Sequence, residues 1–220
     1  VIEQLNSCSS EIEIATNYSL TNQEKTYIQN FLGENVNFTE NTANSKIKLN
    51  IIKDFHDKYD MCINEIYEEI ERNLNETTDM FIVTNTDTNI KNIYLDLIAR
   101  KELNDFLITA QNNSGSQGKI KSFWAKSTNQ SRIIICKFDF LLQFLNAEFN
   151  QNNKILCIHK LPFDNIKTPT YKIWSEKFDE PFRNFTIPRL NLLLKTLISN
   201  FNLKFQNEKH VYFLDNRIKE

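Results

Sequence analysis

Glycine is scarce, three in 220 residues, with Gly33 alone and Gly115 and Gly118 sharing one polar loop. Loops that bring the backbone against a pyrophosphate need several glycines close together. Neither a Walker A motif nor a dinucleotide fingerprint fits this chain, and no nucleotide cofactor is expected. Proline is nearly as rare, and all four residues (Pro162, Pro169, Pro181, Pro188) fall within one stretch. The four cysteines, Cys8, Cys62, Cys136 and Cys157, form no CxxC pair, so the usual spacing of a structural zinc site is missing. Cys136 in RIIICKF and Cys157 in KILCIHK lie in apolar runs, where free cysteine acts as a small hydrophobe. That usage suits a reducing compartment, cytoplasmic or nuclear. No apolar run approaches the roughly 20 residues that span a bilayer. No charged leader with a small-residue cleavage site opens the sequence. Its first residue, Val1, points to a stretch cut from a longer polypeptide. Asn, Ile, Lys and Phe are abundant, as AT-rich coding would give, and a eukaryotic source is expected.

The most informative bulk property is charge. Residues 1–110 carry 9 basic and 19 acidic side chains, and residues 111–220 carry 17 basic and 9 acidic. Such asymmetry points either to a polyanionic partner for the C-terminal half or to contact between the halves.

Along the chain, residues 1–20 are polar and read as poorly ordered. Thr21-Asn22-Gln23-Glu24 is a capping box that opens a helix carrying Tyr27, Ile28, Phe31 and Leu32, with Gly33 at the C-cap position. IKLNII (47–52) reads as a strand or a first helical turn. From Tyr59 the spacing is helical, with an acidic outer face. MFIV (80–83) reads as a buried strand, and residues 89–110 as a helix. QNNSGSQG (111–118) is the clearest loop. KIKSFWAK and SRIIICKF flank STNQ like the arms of a hairpin. A helix over 139–149, a strand over 154–160, a helix over 189–201 and a strand over 210–214 follow, and TYKIW reads as extended.

Strands alternating with helices predict an α/β fold, with a mixed or mostly parallel sheet flanked by helices and an N-terminal helical extension. An α+β arrangement is the alternative. The organisation read from this is a poorly ordered segment 1–20, a helical region 21–76 packing on the main domain, and an α/β domain 77–220. That domain carries the loop 111–118 and an irregular aromatic and proline-rich segment, 161–189.

Few constellations carry chemistry. FIVTNTDTN (81–89) ends a strand with Asp87, but Asn85 occupies the position of an attacking carboxylate and has no such reactivity. The loop therefore reads as a turn, with Asp87 or Thr88 capping the next helix. His56 lies near Asp54, Asp57 and Asp60, a weak metal pattern, and no metal is expected. His159, two residues after Cys157, reads as part of a buried structural pair.

Two stretches suggest binding. The segment 118–137 presents Lys119, Lys121, Lys126 and Arg132 without an acid, interleaved with Phe123 and Trp124. Cations neutralise phosphates and aromatic faces stack bases, so nucleic acid is one candidate partner. The segment 161–189 gathers Phe163, Tyr171, Trp174, Phe178, Phe182, Arg183 and Phe185, the residue types of an interface hot spot. These features favour a non-catalytic intracellular interaction or assembly module of a larger protein, with another protein subunit as partner. A nucleic-acid-binding domain using the hairpin 118–137 is the alternative. An unfamiliar or degenerate enzyme built around Asp87 or His56 comes third.

Overall fold

The computed structural model describes residues 12–16, 18–32, 36–40, 47–51, 59–72, 77–111, 130–145, 153–204, 209–215 and 217. The chain forms two compact units. The first comprises Val1–Ser45 and Phe163–Ser199, and the second Lys46–Pro162 and Asn200–Glu220. This division cuts across the boundaries at 76 and 77 expected from sequence, because a C-terminal segment returns to the N-terminal one.

The second unit is an α/β sheet. Its strands are β3 (Ile47–Ile51), β4 (Thr78–Thr84), β5 (Leu107–Ala110), β6 (Arg132–Lys137), β7 (Asn153–Ile158) and β8 (Lys209–Phe213). They lie in the order β3-β8-β7-β4-β6-β5, and every neighbouring pair is parallel. Parallel neighbours require crossovers, and α2 (Tyr59–Arg72) and α3 (Asp87–Ile98) supply two of them.

All seven residues of β4 are buried, and its centre, residues 80–83, is a continuous apolar run and not an alternation. Met80, Ile82, Ile133, Ile135, Ile155 and Cys157 pack on one face against Ile66 and Ile70 of α2 and Ile90, Ile93 and Leu97 of α3. Phe81, Val83, Ile134 and Leu156 have the opposite parity, and Phe81 meets Phe201 edge-on at 5.9 Å there.

The first unit holds β1 (Ile12–Thr16), α1 (Asn22–Leu32) and β2 (Val36–Glu40), with β1 and β2 parallel. The capping box forms as read: Thr21 N–H donates to Glu24 Oε2 at 2.7 Å, and Glu24 N–H donates to Thr21 Oγ1 at 3.2 Å. Further along, α5 (Pro169–Ser175), a π-helical turn at Phe182–Thr186 and α6 (Ile187–Lys204) follow. Pro169 sits in the first turn of α5, and Thr168 caps it by accepting from Tyr171 N–H.

Several expectations change. Ile12–Thr16 is a strand and not poorly ordered, since Ile12 and Ile14 alternate with Glu13 and pair with β2. The N-terminal extension is therefore β-α-β, and IKLNI is an edge strand of the main sheet. The helix expected over 89–110 ends at Ile98, and LITA is a strand paired with β6. TYKIW is helical because its N-cap and N1 proline outweigh its β-rich composition. The hairpin 118–137 does not form with Arg132–Lys137: both edges of β6 are taken by parallel partners, β4 and β5. Its other arm and residues 112–118 of the QNNSGSQG loop lie outside the described residues, as does Gly33. Among the described residues, no helix is long and apolar enough to cross a membrane.

Candidate functional site

In an open parallel sheet, ligands bind outside the carboxyl ends of strands at the point where chain connections diverge. Here that point lies between β4, whose chain proceeds to β5, and its neighbour β7, whose chain proceeds to β8 on the other side. The residues at those two strand ends are Thr84 and His159. Thr84 Oγ1 and His159 Nδ1 lie 3.1 Å apart, both buried. Asn89 Nδ2 donates to Thr84 Oγ1 at 3.3 Å and to Asn85 Oδ1 at 3.2 Å.

Burial, reinforced by the Lys160 charge, pushes the His159 pKa down to about 4. The imidazole is thus neutral at physiological pH. Next to it, burial acts to raise the Asp215 pKa, but hydrogen bonds from Arg217 and from the Leu161 N–H outweigh this and lower it. His159 and Asn89 both bond Thr84, and Asp215 bonds Arg217 and the Leu161 N–H.

Asp87 opens α3, but the cap is Thr86, whose side chain accepts from Asn89 N–H at 3.1 Å, and not Asp87 or Thr88. The Asp87 carboxylate is exposed and paired with Lys137 at 2.8 Å. His56, Asp54 and Asp57 lie outside the described residues. Among those described, no group of three or more His, Cys, Asp or Glu side chains is placed to hold a metal.

The first unit contains a different kind of site. Tyr27, Ile28, Phe31 and Leu32 on α1 line an open cavity of about 600 Å³ with Ile14, Trp174, Phe185 and Arg189. Tyr27 and Phe31 stand one helical turn apart with ring centroids 5.0 Å apart. Phe31 meets Trp174 at 4.9 Å, and Phe185 lies 5.9 Å from Tyr27. Burial raises the Tyr27 pKa, so the phenol stays protonated. One lining residue carries a full charge: the Arg189 guanidinium lies 6.0 Å from the Phe185 centroid and 3.3 Å from Asp164. The Lys177 ammonium sits 4.2 Å from the Trp174 centroid.

The aromatic set read from sequence divides in this structure. Phe178 and Phe185 are buried, packing on each other at 5.3 Å and on Tyr27 and Phe31, so neither presents a ring at the surface. Tyr171 is half-buried and bonds Thr186 Oγ1 through its hydroxyl at 2.8 Å. Phe182 is 61% exposed and stacks on Phe163. Arg183 is exposed beside Glu180, and Trp174 lies at the cavity. Tyr27, Phe31 and Arg189 were missed, although the helical spacing of Tyr27 and Phe31 marked an apolar face.

Of the basic set, Lys119, Lys121, Phe123, Trp124 and Lys126 lie outside the described residues. Arg132 leaves it: its guanidinium is fully buried, donating to Asp79 at 2.8 and 2.7 Å, and has no surface to offer a phosphate.

The charge asymmetry also has a structural counterpart. Asp79 pairs with Arg132 and Lys154, Asp87 with Lys137, and Glu24 with Lys195. Each pair joins an acid of residues 1–110 to a base of residues 111–220. Counted by folded unit, the first carries 7 basic and 10 acidic side chains and the second 19 and 18. The imbalance along the sequence largely cancels within each unit.

No family model matches the chain, and no curated protein matches it. Among solved structures it is similar to Xpd4 of S. tokodaii, with a TM-score of 0.53 and 9% identity over 84% of this chain. The match covers 38% of that chain, so this sequence corresponds to less than half of its neighbour's length. At this identity the likeness shows a shared fold, a parallel sheet flanked by helices.

Proposed function

We propose that this chain is a non-catalytic, intracellular interaction module whose first unit receives an apolar side chain of a protein partner. The observation that supports this reading is the open cavity walled by Tyr27, Phe31, Trp174 and Phe185. Aromatic side chains give large contact area at low entropy cost and dominate interface energetics. The volume suits one bulky side chain with its flanking backbone. Trp174→Ala tests this directly. The variant should stay folded, with a smaller loss of stability than Phe185→Ala, and lose partner capture in a pull-down from the native source. Capture equal to wild type would remove the reading.

Nucleic-acid binding is a second reading. It draws on Lys119, Lys121, Phe123, Trp124 and Lys126, an acid-free basic and aromatic stretch. Fluorescence anisotropy of labelled single- and double-stranded oligonucleotides at about 50 and about 200 mM salt separates the two readings. Binding that falls steeply with salt, and is lost in Lys121→Glu with Lys126→Glu, would favour nucleic acid. No binding at low salt would exclude it.

A further inference from the structure

The chemistry of the cavity specifies its occupant more narrowly, given the reading of it as a partner-binding site. Its walls are aromatic and aliphatic, so they select a large apolar group. Among the described residues, the one charged residue of its lining is the cation Arg189, which pairs on one side with Asp164. Arg189 lines the cavity, and its side chain is 43% exposed although it contacts Asp164. That contact uses Nη1 at 3.3 Å, and a guanidinium has five N–H donors in a planar fork suited to a carboxylate. Lys177, also exposed, holds its ammonium over the ring of Trp174, another lining residue. We infer that the occupant is a bulky apolar side chain of an acidic protein segment, with a carboxylate beside this anchor paired to Arg189 and further negative charge near Lys177.

One feature supports an acidic partner over a neutral one. The Arg189 guanidinium lies 6.0 Å from the Phe185 centroid, so the cation borders the apolar wall. An aromatic anchor with an adjacent carboxylate would then meet both halves of the site at once.

The test uses the full 220-residue chain and short fluorescein-labelled peptides in fluorescence polarisation. One peptide carries a central Trp flanked by Glu, a second has Lys in place of each Glu, and a third has Ala in place of the Trp. The Glu–Trp peptide should bind at least about tenfold more tightly than the Lys version, the effect of one charge-assisted hydrogen bond. The Ala peptide should lose binding, and the Glu preference should shrink in Arg189→Gln and in Lys177→Glu. Lys177 is exposed, so its variant guards against misfolding of the first. Equal binding of the Glu and Lys peptides would overturn the inference while leaving the interaction module standing. Binding of the Glu peptide that survives loss of the Trp would overturn it too, since charge alone would then suffice. If no peptide binds, the inference fails, and the Trp174→Ala pull-down decides separately whether the cavity binds a partner at all.

Discussion

Asp79 and Arg132 face each other across β4 and β6 as a bidentate ion pair, with Arg132 Nε and Nη2 donating to the two carboxylate oxygens at 2.8 and 2.7 Å and neither side chain reaching solvent. The strand register places them directly opposite, and the same carboxylate accepts from Lys154 of β7 at 2.6 Å. One aspartate thus bridges three adjacent strands inside the sheet. The geometry is favourable, but the desolvation cost of buried ions offsets much of the attraction. What the arrangement fixes firmly is register: a one-residue slip of β6 or β7 would send its cation to the other face of the sheet.

Removing the acid should be far more damaging than removing all three charges. Asp79→Asn leaves two buried cations facing a neutral amide, and a loss of about 3–5 kcal/mol is expected. The triple replacement Asp79→Leu, Arg132→Met and Lys154→Met should lie close to wild type, within about 2 kcal/mol. Urea unfolding monitored by circular dichroism measures both. A single variant as stable as wild type would show that the pair contributes nothing.

Lys154 gives a second prediction, in pH. Burial lowers its pKa in the fold despite the opposing attraction of Asp79. Between the folded and unfolded pKa values the unfolded chain holds more protons, so stability rises as pH increases through that alkaline window. Wild type should therefore gain stability relative to Lys154→Met as pH is raised toward the ordinary lysine pKa. Parallel curves for the two proteins, or a relative loss, would contradict this.

Much of the α/β class was legible because β4, β6 and β7 each contain an unbroken apolar run (MFIV, IIIC, ILCI), a pattern that arises when both faces of a sheet are covered. LITA was not legible. Leu107 and Ile108 follow α3 at helix-compatible spacing, and only the cap at Ala99 and pairing with β6 end the helix. The edge strands were less legible for a related reason: IEIAT gives no clear signal and IKLNI fits a strand or a helical turn, because both are short and half-polar and their partners lie far away in sequence. Half of the cavity was visible as the cluster 163–185. The other half, Tyr27 and Phe31, sits some 140 residues earlier, and no local pattern ties the two together. Arg132 misled because a run of basic residues does not show which of them a single distant acid will bury.

His159 supplies an acid-side counterpart. Its pKa of about 4 in the fold lies below the ordinary value of 6.5. In the interval between them the unfolded chain binds more protons, so stability falls as pH is lowered through it. The expected loss is on the order of 3 kcal/mol, at 1.36 kcal/mol for each pKa unit. His159→Gln can still bond Thr84 and should flatten that part of the curve. Thermal melts between about pH 7 and about pH 4 give the comparison, and an unchanged slope in the variant would mean that other groups govern acid stability.

The aromatic segment should separate into residues that hold the fold and residues that meet a partner. Phe185 is 1% exposed and contacts Tyr27, Phe31, Tyr171 and Phe178, so Phe185→Ala should cost about 3–5 kcal/mol. Phe182, at 61% exposure, loses little apolar burial, and Phe182→Ala should change stability by about 0.5 kcal/mol or less. Trp174→Ala falls between, because the ring packs on Phe31 yet leaves a face toward the cavity. Chemical unfolding of the three variants ranks them. A Phe182 variant as unstable as the Phe185 one would mean that the exposed ring is part of the core, and the surface available to a partner would shrink to Trp174 and the cavity walls.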